Sequence, residues 1–406
     1  MFRISYRIST NMNGHILHEL PVAVDYFTKT PDVQLYFLTH VHSDHTVGLT
    51  KYWKKKVYCS YVTGKLLHFK LKIEKHLIIP LKELQSHVFR IQSKKGWHGL
   101  SVTLIPVQHC PGSSMFLFET NDVKILYTGD FRPDNTVYEI GKTLWGPRHR
   151  PIDVLYLDNT YCEPSCAFPS RDEAIEEIAK ICKSHLDCNI FIGVNWTGHE
   201  DLLVKLALKM EQQIAVTNWH LQLFKLLEVK NVFTCDEYSS NIQVLRSNQV
   251  NLRRLKEINE NEEDCIGIVP TAKKCHVSSG VLRNDLIYTV PYSNHSSFTE
   301  LWEFVECVRP RKIKPIVSGK KPSGMESYFR ADMTQFDCLL NCEKVSPIES
   351  QLHYSIHPIP EMDNFTDDDD NINACPKRKH KPIAHDISKI KQRRKKPCGV
   401  VFDEND

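Results

Sequence analysis

The sequence predicts a mixed α/β protein: a strand-built sandwich, an α/β unit inserted into it, and a disordered basic C-terminal tail. Three observations carry that prediction. From Val22 to about Asp158, short β-branched and aromatic runs alternate with polar loops. From Ser170 onward helical and strand-like runs alternate, and beyond about Ser350 the chain turns polar, charged and interrupted by proline. At 406 residues and 41% hydrophobic content, there is apolar material for one large domain or two ordinary ones.

In chain order, VAVDYF, QLYFLTH, KVYCS, VTLIPVQH, SMFLFET, KILYTGD and VLYLDNT read as strands. Most are nearly continuously apolar, which fits strands buried in a sandwich, and several end abruptly in polar residues. SRDEAIEEIAKICKSH opens on a serine cap with an acidic first turn and sets Ala174, Ile178, Ile181 and Cys182 on one face, which predicts a helix. NIFIGV follows as a strand, HEDLLVKLALKMEQQ as a helix, IAVT as a strand and HLQLFKLLEV as a helix. CIGIVP, LIYTVPYSNH and IKPIVSG, around the helical SFTELWEFVECV, are expected to complete the first domain. The expected partition is 12–160 for the first part of the core, 165–275 for the insertion, 276–335 for the return and 350–406 for the tail, whose GVVF could dock as a strand. No fixed-period repeat is present, which excludes solenoids and propellers.

Composition removes other classes. No window approaches the roughly 18 to 20 apolar residues of a membrane span, and the first residues lack the apolar core of a secretory signal, so a soluble intracellular protein is expected. The 14 cysteines are scattered as reduced core thiols would be. Cys162/Cys166 and Cys338/Cys342 share a three-residue gap, but no second pair stands at finger-like spacing, so a structural zinc site is not expected. The net charge of +3 conceals local imbalance. Lys377 to Lys396 carries ten Lys/Arg against the single acid Asp386, just after the acidic run Asp367 to Asp370. Arg309, Arg311, Lys312, Lys314, Lys320 and Lys321 form a second cluster, and Lys54, Lys55 and Lys56 a third. Such patches suit a polyanion, with solvated surface as the equal alternative. The tail segments KRKHKP and KIKQRRKKP resemble a nuclear-import signal, with a nucleic-acid-binding arm as the rival, and a nuclear protein is expected.

The chemistry concentrates where strands end. His40, His42, Asp44 and His45 put four metal-capable side chains in six residues directly after QLYFL, a density that packing does not require. His109 in HCPGS and Asp130 in YTGD supply two more ligands for a tetrahedral zinc. Asp130 could also bridge to a second ion held by Asp44 and His45, with His295 in PYSNHSS completing that site. Gly112 and Gly129 would let backbone approach the metals closely.

At these residues the sequence resembles the metallo-β-lactamase superfamily, whose HxHxDH signature is matched by His40, His42, Asp44 and His45. LDNT at Leu157 to Thr160, PYSNHSS at Pro291 to Ser297 and PIV at Pro315 to Val317 narrow the resemblance to the DNA-processing branch of the β-CASP nucleases. It covers about residues 12 to 320 and implies an αββα sandwich with an inserted α/β β-CASP domain. It further implies that Asp25 supports the centre, that His40, His42, His109 and Asp130 hold one metal, and that Asp44, His45, Asp130 and His295 hold another. Asp158 becomes the β-CASP acid that orients a metal-bound histidine. Val317, where RNA-processing relatives carry histidine, favours DNA. One departure stands out: relatives often have Gly-Lys-Glu where this chain has Gly198-His199-Glu200.

The implied activity is a zinc-dependent 5′-to-3′ exodeoxyribonuclease acting in interstrand-crosslink or double-strand-break repair and, in vertebrate members, at telomere ends. One or two zinc ions are expected, the second site being weaker or taking Mg²⁺ or Mn²⁺, and minor β-lactamase activity would follow from the same water chemistry. The catalytic set is then Asp44, Asp130, Asp158 and His295. Thr197, Gly198, Ser296 and Ser297 are candidates for a terminal 5′-phosphate, with capping or turn roles the equal alternative. Arg309, Arg311 and Lys312 would line the DNA approach. The expected partner is DNA with a 5′ end, acted on by a monomer, with repair or telomere proteins as candidate partners of the tail. A structure-selective endonuclease and a small-molecule metallo-hydrolase are the alternatives; an idle scaffold would have lost ligands, and none is missing.

Overall fold

A strand that is apolar at successive positions needs two buried faces, and the first half of the chain provides them. The structure, a computed structural model, describes residues 13–93, 96–260, 264–273, 280–317 and 333–341. Strands β1 (His15–Leu17), β2 (Val22–Val24), β3 (Leu35–Phe37), β4 (Val57–Cys59) and β5 (Ile78–Pro80) form one sheet in chain order, parallel from β2 to β5. Strands β6 (Ser86–Ser93), β7 (Gly96–Pro106), β8 (Ser114–Glu119) and β9 (Lys124–Tyr127) form an antiparallel meander, to which β10 (Val154–Leu157) adds in parallel.

Side chains alternate between the two faces. Phe37 points between the sheets, its ring 5.2 Å from both Phe116 and Phe118. Tyr36 and Leu38 point the other way, into a cluster with Leu66 and Leu67 of helix α1 (Tyr61–Leu71). On the second sheet Phe116 and Phe118 face inward, while Met115 and Leu117 join Val137 of helix α2 (Asn135–Leu144). Each fully buried side chain of this kind contributes roughly 1.5–3 kcal/mol, so the two inner faces and two outer helix layers hold the sandwich.

The chain then leaves for a third sheet. Helix α3 (Arg171–Lys183) starts at the predicted serine, with a capping box between Ser170 and Glu173. Strand β11 (Asn189–Val194), helix α4 (Glu200–Met210), strand β12 (Ile214–Ala215), helix α5 (Asn218–Leu226), strands β13 (Phe233–Thr234) and β14 (Ile242–Arg246), helix α6 (Leu252–Asn259) and strand β15 (Cys265–Pro270) follow. Strands β16 (Leu282–Asn284) and β17 (Ile287–Val290) complete a seven-stranded sheet. After helix α7 (Phe298–Val308), strand β18 (Ile313–Pro315) pairs in parallel with β10 and closes the second sheet at its edge. Leu301, Phe304 and Val305 of α7 pack on the outer face of that sheet with Val137, Ile152 and Leu155.

The return to the sandwich comes later than the partition at 275/276. Gly267 to Pro270 pairs in register with Ile287 to Val290, so β16 and β17 belong to the inserted sheet, and the crossing lies between Val290 and α7. Helices α1, α2 and α6 have no counterpart among the sequence expectations. α1 lacks an acidic first turn, and its apolar residues do not gather on one face. Cys162 and Cys166 are buried in the core. No helix among the described residues is long and apolar enough to cross a membrane. Lys320, Lys321, Cys342, the tail 350–406 with its acidic run and basic segments, and the terminal GVVF lie outside the described residues.

Candidate metal centre

Parallel strands deliver their C-terminal ends to one edge, and the candidate ligands are the residues that follow those ends. β2 leads to Asp25, β3 to Thr39, His40 and His42, β9 to Thr128, Gly129 and Asp130, and β10 to Asp158. The β7–β8 connection supplies His109, and the segment after β17 supplies His295. Gly129 takes φ +56°, and a Cβ there would lie 2.9 Å from the Thr39 side chain, so only glycine lets the Asp130 strand end pass this closely.

Asp130 is the shared member of two clusters. On one side His42 Nδ1 lies 3.0 Å from His40 Nε2 and 2.9 Å from His109 Nε2. Asp130 Oδ2 is 3.8 Å from His40 Nε2 and 3.7 Å from His109 Nε2. Four ligands arranged tetrahedrally at about 2.0–2.1 Å from one ion would stand about 3.3 Å apart, and each of these four separations lies close to that edge length. On the other side Asp130 Oδ2 is 3.2 Å from His45 Nε2 and 3.9 Å from His295 Nε2, and Asp44 Oδ2 is 3.7 Å from His45 Nε2. Within this knot His45 Nε2 and Asp130 Oδ1 are buried and have no hydrogen-bond partner. Orphaned buried atoms of this kind cost about 1–3 kcal/mol each, and a divalent cation would satisfy both.

All five imidazoles turn one nitrogen outward to an acceptor and the other inward. His45 Nδ1 donates to Asp25 Oδ2 at 2.8 Å, and His295 Nδ1 donates to Asp158 Oδ2 at 2.8 Å. His109 Nδ1 donates to the Asn294 carbonyl at 3.2 Å, and His42 Nε2 to the Thr197 carbonyl at 3.4 Å. Thr39 donates its hydroxyl to Asp25 and so accepts from His40 Nδ1 at 3.0 Å. With the proton kept on the outer nitrogen, a neutral ring turns its lone pair inward, which fixes the tautomer for metal binding. Asp25 holds the arrangement from a left-handed backbone conformation, φ 55°, that aspartate tolerates better than most residues.

Protonation differs between the two sides. Burial, reinforced by the neighbouring imidazoles, holds His40 and His109 well below the usual histidine range, and burial takes His42 to about 3. These three bind a cation without losing a proton. Burial acts the same way on His45 and His295 but is outweighed by carboxylates. Asp130 and Asp25 raise His45 well above its ordinary value, and Asp158 and Asp130 bring His295 to about 9. Burial pushes Asp130 up.

The phosphate candidates are engaged elsewhere. Thr197 donates its hydroxyl to Glu200 Oε1 at 2.7 Å, and Gly198 donates its N–H to Glu200 Oε2 at 2.8 Å. Ser296 donates to the Phe131 carbonyl at 2.8 Å, and Ser297 is the N-cap of α7 in a capping box with Glu300. Turn and capping contacts are thus present at all four residues. His199, at the departure from the family pattern, is buried against Tyr292 with rings 5.5 Å apart and is taken to about 4 by burial, so it brings no charge.

The basic cluster corrects an expectation. Arg311 N–H bonds to the Ile152 carbonyl and Lys312 lies beside Leu155, at the N-terminal ends of β10 and β18, whereas Asp158 follows the C-terminal end. Six strand residues at about 3.3 Å each separate Arg311 from Asp158 at the metal edge, on the order of 20 Å, and about four, or roughly 13 Å, separate Lys312 from it. Arg311 is also paired with Asp153, and Lys314 with Glu19. Lys54 to Lys56 precede β4 and lie at the same remote edge by the same logic. Reversing Arg309 and Lys312 to glutamate is therefore expected to leave the cleavage of a short oligonucleotide unchanged. A lower kcat/KM in that assay would return these residues to the substrate path.

Several residues with no local mark of a role in the sequence join the site through the fold: Thr39, Asn13 (whose side-chain amide donates to Asp44 Oδ2 at 2.6 Å), Asn294 and Arg132. Comparison with known proteins agrees with the architecture. Residues 17–186 match the beta-lactamase superfamily domain, and residues 227–321 match the DNA repair metallo-beta-lactamase domain. The chain is 39% identical over 315 residues to 5′ exonuclease Apollo of Mus musculus, covering 77% of this chain and 56% of that one. It is 38% identical over 317 residues to 5′ exonuclease Apollo of Danio rerio, covering 77% and 53%. With DNA cross-link repair 1A protein of Homo sapiens it shares 32% identity over 318 residues, covering 73% and 29%. The chain thus spans about half the length of the Apollo relatives and less of the cross-link repair protein.

Proposed function

Because the chain belongs to the DNA repair metallo-β-lactamase family, we propose that it is a zinc-dependent exodeoxyribonuclease that removes nucleotides from the 5′ end of DNA. Cross-link repair in the nucleus is the setting this reading implies, from the names of the relatives and the import-like tail. The observation that carries it is the placement of Asp130 Oδ2 between two groups of inward-facing imidazole nitrogens, each anchored from outside. Three neutral histidines with one carboxylate make a donor set suited to zinc.

When bound, the metal lowers the pKa of a water and offsets negative charge on the phosphodiester. The chain's own residues do the rest. Burial would raise the pKa of Asp44, but the charge of His45 outweighs it and holds the carboxyl below its usual range, so it is ionised. Its side chain is 41% exposed, on the open side of the cluster, where it can accept a proton from the attacking water. Asp158 fixes the ring of His295 and is itself held by Thr160 and the Phe131 N–H, which keeps this edge rigid while substrate exchanges.

The test is digestion of matched DNA and RNA oligonucleotides, 5′-phosphorylated or 5′-hydroxyl and labelled at either end, before and after chelation and with zinc restored. Stepwise loss from the phosphorylated 5′ end of DNA, abolished by the chelator and regained with zinc, is the expected result. Internal cuts would replace the exonuclease reading with an endonuclease, and RNA cleavage would move the substrate class.

A further inference from the structure

A row of rings leads out of the metal cleft beside His42. Trp196, in the loop between β11 and α4, has its ring 6.2 Å from His42 at 78°. Trp219, in the first turn of α5, lies 6.1 Å from Trp196, and Phe69 of α1 lies 6.2 Å from Trp219. Two cations accompany the row. Lys70 Nζ sits 3.9 Å over the Trp196 ring while donating to the Val41 carbonyl, and Lys72 Nζ sits 5.6 Å over the Phe69 ring.

Packing accounts for part of this row, since Trp196 and Phe69 are half-buried against the hydrophobic core. It does not account for Trp219, which stays 38% exposed between Trp196 and Phe69. His42 and Asp44 are themselves partly exposed, so the row opens on the accessible side of the centre. The basic cluster preceding β18 lies at the opposite edge of its sheet, whereas Lys70 and Lys72 stand among these rings.

We propose that Trp196 and Trp219, flanked by Lys70 and Lys72, form a stacking subsite for unpaired nucleobases of the strand being cut. The inference rests on the nuclease reading and names the form of substrate that its site takes. Aromatic faces accept any base without reading sequence, and neighbouring cations meet the backbone phosphates. A base inside a duplex is already stacked, so the row rewards single strands and frayed ends over closed duplex ends.

The test compares wild type, Trp219→Ala and Trp219→Phe, each loaded with zinc, on single-stranded DNA with normal bases or with abasic residues beside the cleaved end. Trp219→Ala is expected to raise KM roughly ten-fold or more with little change in kcat, and Trp219→Phe to recover most of the loss. Abasic residues should weaken wild type by a similar factor and add nothing in Trp219→Ala. Equal KM values across the three proteins, or an abasic penalty undiminished in Trp219→Ala, would overturn the subsite. Quenching of tryptophan emission by a phosphorothioate oligonucleotide separates the two readings. Quenching lost in Trp219→Ala, from a protein that cleaves nothing, supports the subsite and overturns the nuclease. Cleavage by a protein showing no quenching overturns the subsite alone.

Discussion

Asp130→Asn is expected to reduce metal-dependent cleavage by at least about 10³-fold, the scale on which loss of a principal electrostatic stabiliser acts. No other carboxylate in the centre reaches both clusters. One Asp130 oxygen lies between 3.2 and 3.9 Å from nitrogens of His40, His45, His109 and His295. Asparagine keeps the volume but removes the negative charge. If its NH₂ takes the place of that oxygen, donors face nitrogens whose lone pairs should point inward. Metal content measured on the purified variant should fall along with activity, because both sides lose the same ligand. Asp25→Asn provides the scale: it perturbs only the outward nitrogen of His45 and the Thr39 link to His40, and a loss of about 10–100-fold is expected. If Asp130→Asn kept full metal content and lost no more activity than Asp25→Asn, the shared-ligand description would be wrong.

What could be read from the sequence follows from how local each signal is. The His40 to His45 cluster is dense enough to be seen without a fold, and His109 and Asp130 stand at strand ends that periodicity locates. Asp25 and Asp158 came only through family resemblance, because a lone acid after a strand has no local mark of its role. Thr39 and the carbonyls of Asn294 and Thr197 could not be read at all, since their contribution is a backbone or hydroxyl contact created by tertiary packing. The Arg309 to Lys312 cluster misled for a related reason. Charge can be counted along a sequence, but the parallel register of β18 beside β10 decides which edge of the sheet receives it. The same pairing logic moved the boundary of the insertion, because β17 reads as a generic apolar strand until its partner β15 is known.

Arg132→Ala is the second large effect, and it tests how the two crossings between sandwich and insertion are held. The Arg132 side chain is almost fully buried and spends its whole guanidinium on three segments. Nε pairs with Glu300 at 2.9 Å, Nη1 donates to the Ser293 carbonyl at 3.1 Å and Nη2 to the Pro169 carbonyl at 3.0 Å. Pro169 precedes α3 on the way out of the sandwich, Ser293 follows β17 on the way back, and Glu300 caps α7 just after His295. The backbone N–H of Arg132 also bonds to the Gln108 carbonyl, one residue before His109. Truncation removes the cation paired with Glu300 and the donor to two carbonyls, which should cost about 3–5 kcal/mol and lower the melting midpoint by roughly 10 °C. Cleavage should fall even at temperatures where the variant remains folded, because the segments carrying His109 and His295 lose a common anchor. Arg132→Lys is expected to recover only part of either loss, since an ammonium cannot reproduce the planar fork that reaches all three acceptors. Full activity in a destabilised Arg132→Ala would mean that the fork supports the fold alone and that the histidine loops are positioned by Asp158 and Asn294 without it.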